Sequence, residues 1–134
     1  MSTQAGYSTN APTPLVTTAE TVVGTFTVPP LANPGGQGLM LSCFVILTTG
    51  AAATSITTRI RQGSLTGPVL GAPAAAAAVA ATANQCGANS ALDGTTEYPN
   101  GQTYVVTVQQ GAATGNGTMQ YVTFESEPIS QIPG

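Results

Sequence analysis

Thr54-Ser55-Ile56-Thr57-Thr58-Arg59-Ile60-Arg61-Gln62 decides the fold class. Ile56, Thr58 and Ile60 share one face of an extended chain, and Thr57, Arg59 and Arg61 share the other. A period of two fits a half-buried β-strand and not a helix. The same pattern recurs on either side. Glu20 to Val28 sets Val22, Phe26 and Val28 against Thr21, Thr25 and Thr27. Gln102 to Gln110 turns Tyr104, Val106 and Val108 inward. Gly117 to Glu127 sets Gln120, Val122 and Phe124 against Met119, Tyr121 and Thr123. Leu39 to Thr48 is apolar on both faces, which predicts a central strand covered from two sides.

The segments between these strands are turn-forming. Pro29-Pro30, Asn33-Pro34-Gly35-Gly36, Thr66-Gly67-Pro68 and Pro99-Asn100-Gly101 interrupt the pattern. Thr114-Gly115-Asn116-Gly117 predicts a tight hairpin joining the last two strands. Pro73 to Ala83 is nearly all Ala. Intrinsic propensity favours a helix there, whereas Val79, Thr82 and the surrounding strands favour a close-packed strand, which is the expectation. Six to eight short strands with regular turns predict an all-β chain, an antiparallel β-sandwich with jelly-roll or Greek-key connections. Residues 1–18 read as an extended N-terminal arm, 19–127 as the sandwich domain and 128–134 as a short C-terminal tail.

Charge narrows the function. The 134 residues include no His, Lys or Trp, and only two Arg and five acidic residues, 5% charged against about 25% in an average domain. Such a surface needs hydration by Ser, Thr, Asn and Gln, or cover from other subunits. A serine nucleophile has no His or Lys to activate it. Gly63-Ser64-Leu65-Thr66-Gly67 misplaces its serine for a nucleophile elbow. Glu125 and Glu127 form a carboxylate pair, but nothing else marks a sugar-cleaving cleft. Asp93 and Glu97 flank a polar loop without the spacing of a calcium loop. With no His and no Cys-x-x-Cys, zinc is excluded. The expectation is a chain that is not an enzyme and takes no cofactor or metal.

Two arginines without a lysine offer nothing to bind phosphate, so nucleic acid is not an expected partner. The apolar run Leu39 to Leu47 falls far short of the roughly 20 residues a membrane-spanning helix needs, so no membrane is expected either. The N-terminus has neither the basic nor the apolar region of a secretory signal, pointing to synthesis in the cytoplasm. Cys43 reads as a small buried hydrophobe, and spacing alone establishes no bridge to Cys86.

Arg59 and Arg61 project from one strand face, as do Glu125 and Glu127. Either the two strands meet, within the chain or across a subunit boundary, to form paired ions that set register, or the arginines stand solvated.

A Pro-containing polar arm leads to a strand ending Val28-Pro29-Pro30, and then to the apolar strand Leu41 to Thr48. After these come Thr57-Thr58-Arg59-Ile60-Arg61-Gln62-Gly63-Ser64-Leu65-Thr66-Gly67 and the late Pro99-Asn100-Gly101-Gln102-Thr103-Tyr104-Val105-Val106-Thr107-Val108. In this order, over residues 20–127, the chain resembles the small jelly-roll head decoration or cement proteins of tailed phages, which have a tumour-necrosis-factor-like sandwich. The Ala-rich segment departs from that pattern. The resemblance implies a virion protein made in the host cytoplasm, a homo-oligomer (a trimer) seated on the major capsid protein at the capsid surface. The contacts it implies are Tyr7, Pro12, Pro14 and Leu15 in the arm and Ile129 and Ile132 in the tail, beside Arg59, Arg61, Glu125 and Glu127. The alternative is a carbohydrate-binding or adhesive β-sandwich module at a phage fibre or cell surface. The missing Trp and the scattered Tyr7, Tyr98, Tyr104 and Tyr121 count against it. A soluble trimeric ligand of the tumour necrosis factor type would want a secretory or anchoring segment.

Overall fold

The alternation of residues 56–62 is realised in an interior strand. A computed structural model describes residues 5–9, 13–15, 19–28, 31–32, 36–48, 55–76, 84–93, 97–98, 101–111 and 117–130. They form β1 (Ala5–Thr9), β2 (Thr13–Leu15), β3 (Thr21–Val28), β4 (Leu31–Ala32), β5 (Gly36–Thr48), β6 (Ile56–Gln62), β7 (Val69–Ala76), β8 (Asn84–Asp93), β9 (Glu97–Tyr98), β10 (Gln102–Gln110) and β11 (Gly117–Ser130). No helix occurs among the described residues.

Every pairing is antiparallel, and one set is nested. β1 pairs with β11, β3 with β10, β4 with β9, β5 with β8 and β6 with β7. The chain is one long hairpin with its tip between β6 and β7, rolled over on itself. Rolling adds the pairs β5–β11 and β6–β10. Two large sheets result, β1-β11-β5-β8 and β3-β10-β6-β7, with β2 also lying on β11 and β4–β9 a separate two-stranded sheet. A nested hairpin rolled into two facing sheets is a jelly roll, so the expected fold class is the one found.

The tip and the closing edge each depend on a glycine. At the tip, Gly67 N–H donates to Ser64 O, and a Cβ on Gly67 would sit 1.8 Å from the Gln62 carbonyl oxygen. Gly71 of β7 has a φ of +70° and packs so closely on Ala91 and the Ser90 carbonyl of β8 that a side chain would crowd both.

The core lies between the sheets. Leu39, Leu41, Cys43, Val45 and Leu47 of β5 and Val122 and Phe124 of β11 face Val23, Phe26 and Val28 of β3, Ile56 and Ile60 of β6, and Tyr104, Val106 and Val108 of β10. Each such side chain contributes about 1.5–3 kcal/mol by leaving water. At the centre, Phe124 stacks on Phe26 at 5.1 Å and on Tyr104 at 5.7 Å between ring centroids.

Four expectations are corrected or sharpened. In β3 it is Val23, not Val22, that is buried with Phe26 and Val28. The β10 register steps from Gly24 to Val22 opposite Val106 and Thr107, a bulge that turns Val23 inward. β5 is covered on one face only: Met40 and Phe44 on its other face are 43% and 39% exposed. β10 and β11 do not form a hairpin, because they belong to opposite sheets and the connection crosses the sandwich. The Ala-rich segment is strand as far as Ala76, with Ala74, Ala75 and Ala76 opposite Thr58, Thr57 and Ile56; residues 77–83 lie outside the described residues.

Candidate functional site

Three features outside the apolar core are candidates for function: a charge cluster, a buried carboxylate and an apolar sheet face. The charge cluster lies on the outer face of the β3-β10-β6-β7 sheet. β10 sits between β3 and β6, so Glu20, immediately before β3, faces the arginines of β6 across β10. Arg61 grips it in a fork, Nε donating to Oε2 at 2.6 Å and Nη2 to Oε1 at 2.8 Å. Arg59 Nη1 lies 3.5 Å from Oε1, and the Thr107 hydroxyl donates to Oε2 at 2.5 Å. Two further bonds hold the arginines: Arg61 Nη1 donates to the Gly67 carbonyl and Arg59 Nη1 to Gln109 Oε1, each at 2.7 Å. Arg61 and Arg59 stand opposite Val105 and Thr107 in the register, and both of those outward residues are buried.

The Arg61 hydrogen bonds hold the Glu20 carboxyl below its ordinary pKa, burial opposes this, and Thr107 and the arginine charges add to the lowering. A carboxylate so satisfied is a weak base. Its chemistry here is to bind three strands together. Within the chain, Arg59 and Arg61 therefore pair with Glu20 and not with Glu125 and Glu127, which are exposed on the outer face of the opposite sheet. Glu20 carries no mark of this role in the sequence, because Arg61 is 41 residues on and Thr107 87, and they meet it only through the strand order.

Asp93 is buried and accepts the Tyr104 hydroxyl at 2.6 Å, linking β8 to β10 across the sandwich. The Asp93 carboxylate is thus engaged inside the sandwich. Among the described residues no group of three or more His, Cys, Asp or Glu gathers to hold a metal. Cys43 and Cys86 are both free. They lie on adjacent strands but opposite faces, Cys43 opposite Asn89 and Cys86 opposite Ile46. Burial pushes the Cys43 thiol up to about 11, and Cys86 is exposed. Iodoacetamide at neutral pH should therefore label Cys86 first, with Cys43 reacting only on unfolding. Equal native rates, read by mass spectrometry, would contradict this placement.

The third feature is the outer face of β11, β5 and β8. The register sets Glu127, Met40 and Leu92 in one row, Glu125, Ser42 and Ser90 in the next, Thr123, Phe44 and Ala88 in the third, and Tyr121, Ile46 and Cys86 in the fourth. Leu92 on this face is 51% exposed. A shallow open groove of about 400 Å³ follows the Ser42–Ser90 row, lined by Ser42, Cys43, Ala88, Asn89 and Ser90.

Of the expected contact residues, Tyr7 lies in β1 opposite Phe124, and Pro14 and Leu15 lie in β2 opposite Thr118 and Gly117. Ile129 lies in β11 opposite Gly38. β1 and β2 thus line the same edge of their own chain's sheet. Pro12 and Ile132 lie outside the described residues.

No family model matches the chain, and no curated protein matches it. Solved structures do. The VP2 subviral particle of infectious bursal disease virus superposes with a TM-score of 0.58 at 8% identity, over 95% of this chain and 33% of that one. A structure of the Gx strain of the same virus gives 0.56 at 9%, over 95% and 33%. The C-terminal domain of EclA, a sugar-binding protein, gives 0.50 at 10%, over 87% of this chain and 78% of that one. The chain thus spans about a third of the length of the viral chains. At such identities the likeness is one of fold.

Proposed function

We propose that this chain is a non-enzymatic virion structural protein, a decoration or cement protein that seats on the outer capsid surface as an oligomer and stabilises the head. The exposure of Met40, Phe44 and Leu92 on one sheet face of a chain with 5% charged residues carries this reading. Large apolar side chains clustered on one sheet face mark a surface meant to be covered. The viral chains that share the fold come from a virus and its subviral particle, which supports the reading. An oligomer, a trimer in this reading, engages equivalent sites together and gains avidity with no single strong contact. Residues of β1, β2 and the C-terminal segment, Tyr7, Pro12, Pro14, Leu15, Ile129 and Ile132, contact the major capsid protein; no cofactor, nucleic acid or membrane takes part. Synthesis is in the host cytoplasm.

Carbohydrate binding is the second reading. The groove beside Phe44 and the fold shared with a sugar-binding domain favour it. One experiment separates the two: the purified chain is added to shells of the major capsid protein and, in parallel, to a glycan array. Saturable binding to shells, with a rise in the temperature at which they rupture, is the expected result. Glycan binding without shell binding would replace the virion reading with the second.

A further inference from the structure

We infer that Glu20 is a clip that holds the leading end of β3 closed on β10 and β6, with the bulge at Val23 as its hinge. Loss of the carboxylate's charge frees that end while the rest of the sandwich stays folded.

The hinge lies in the strand register. Gly24, Thr25, Phe26, Thr27 and Val28 pair in unbroken order with Val106 back to Gln102, and the ladder then steps over Val23. Beyond the step two residue pairs follow, Val22 with Thr107 and Thr21 with Val108. Val23 is buried in the core, whereas Thr21 and Val22 are half-buried. Core anchoring of β3 therefore ends at the bulge, where the extra residue is left out of the ladder. β3 is also an edge strand with β10 as its neighbour, and β2 lies on the opposite sheet, so the chain changes sheets just ahead of Glu20. A short strand end of this kind belongs to the least stable parts of a fold unless something fastens it.

Glu20 fastens it. Its carboxylate reaches the Arg61 fork on β6 and accepts the Thr107 hydroxyl of β10, so three strands are joined at the residue next to Thr21. Water reaches the clip: the side chains of Arg61 and Glu20 are 19% and 15% exposed. The groups facing the carboxylate are Arg59 and Arg61 from β6 and Thr107 from β10, with Gln109 of β10 holding Arg59. β3, β10, β6 and β7 carry no charged side chain besides the two arginines, so no second carboxylate on these strands can replace Glu20. Protonation leaves both guanidinium groups without a counter-charge on that face. The Arg61 hydrogen bonds keep Glu20 ionised below the usual carboxylate range. The clip is therefore closed above the unfolded pKa of Glu20 and opens as pH falls through the folded one.

The test is hydrogen–deuterium exchange of the full chain, read by mass spectrometry and corrected for the intrinsic pH dependence of exchange. Wild type, Glu20→Gln and the control Glu125→Gln are compared, and circular dichroism melts at neutral pH establish that the variants fold. In wild type, protection over residues 19–22 should fall roughly tenfold between about pH 6 and about pH 2, while residues 25–28 and 102–106 keep theirs. Glu20→Gln should show that loss already at the higher pH and change little on acidification. Glu125→Gln should follow wild type. A loss spread evenly over residues 19–28 would overturn the hinge. Glu20→Gln protected like wild type at the higher pH, or as sensitive to acid, would overturn the clip. If Glu20→Gln does not fold, Thr107→Val removes one bond to the same carboxylate. It should show a smaller loss confined to residues 19–22, and a loss centred elsewhere would overturn the assignment.

Discussion

Phe124→Ala should lower unfolding stability by about 3–5 kcal/mol, the largest loss expected of any single side chain here. Phe124 is fully buried, and its ring lies against Phe26 of β3, with planes 5° apart, and Tyr104 of β10, with planes 26° apart. It therefore joins β11, in one sheet, to two strands of the other. Truncation removes the transfer energy of the ring and two aromatic contacts, and leaves a cavity that rigid sheets fill poorly. A domain of ordinary stability, about 5–15 kcal/mol, would keep only a fraction of its margin. Denaturant titration should show a lower midpoint at unchanged slope. Phe124→Leu, which retains most of the volume, should lose less than half as much. A loss below about 1 kcal/mol for the alanine variant would mean that the sheets do not pack through this ring.

Glu20→Ala should cost about 2–3 kcal/mol, a large effect for a residue outside any strand. It removes the acceptor of two Arg61 hydrogen bonds and of the buried Thr107 hydroxyl, and leaves two cations side by side on β6. The sign of the pH dependence follows from the lowered carboxyl. Unfolded, Glu20 titrates near about 4.3; folded, it holds its charge to lower pH because of Arg61. Its contribution is present above the unfolded value and is lost as pH falls through the folded one. Wild type should therefore lose stability on acidification more steeply than Glu20→Gln, and the difference should vanish below both values. Parallel pH profiles for the two proteins would show that the ion pair adds nothing.

The strands were legible where one residue type alternates with another without interruption. Ile56, Thr58 and Ile60 are buried and Thr57, Arg59 and Arg61 face out, as their spacing requires. Tyr104, Val106 and Val108 behave alike. Val23 was not legible because a bulge has no strong signature when it falls within Thr21-Val22-Val23-Gly24. The outward face of β5 was misjudged for a physical reason. A run such as Leu39 to Leu47 looks the same whether its second face is covered by the same chain or left for another, since burial pressure acts equally in both cases. The hairpin expected at residues 114–117 failed because neighbouring strands in sequence usually pair, and a jelly roll crosses its sandwich at that point instead. Glu20 could be matched with Arg61 only once β10 was known to lie between β3 and β6. Local pattern carried the strands, and long-range pairing carried the site.

The function proposed above has this jelly roll seated on a capsid surface as an oligomer, with its apolar sheet face covered. Electron cryomicroscopy of purified particles from cells that make the protein tests this most directly. Density for the sandwich is expected on the outer shell surface, with Met40, Phe44 and Leu92 covered. Particles bare of this sandwich, or copies seated singly with Phe44 open to solvent, would contradict it.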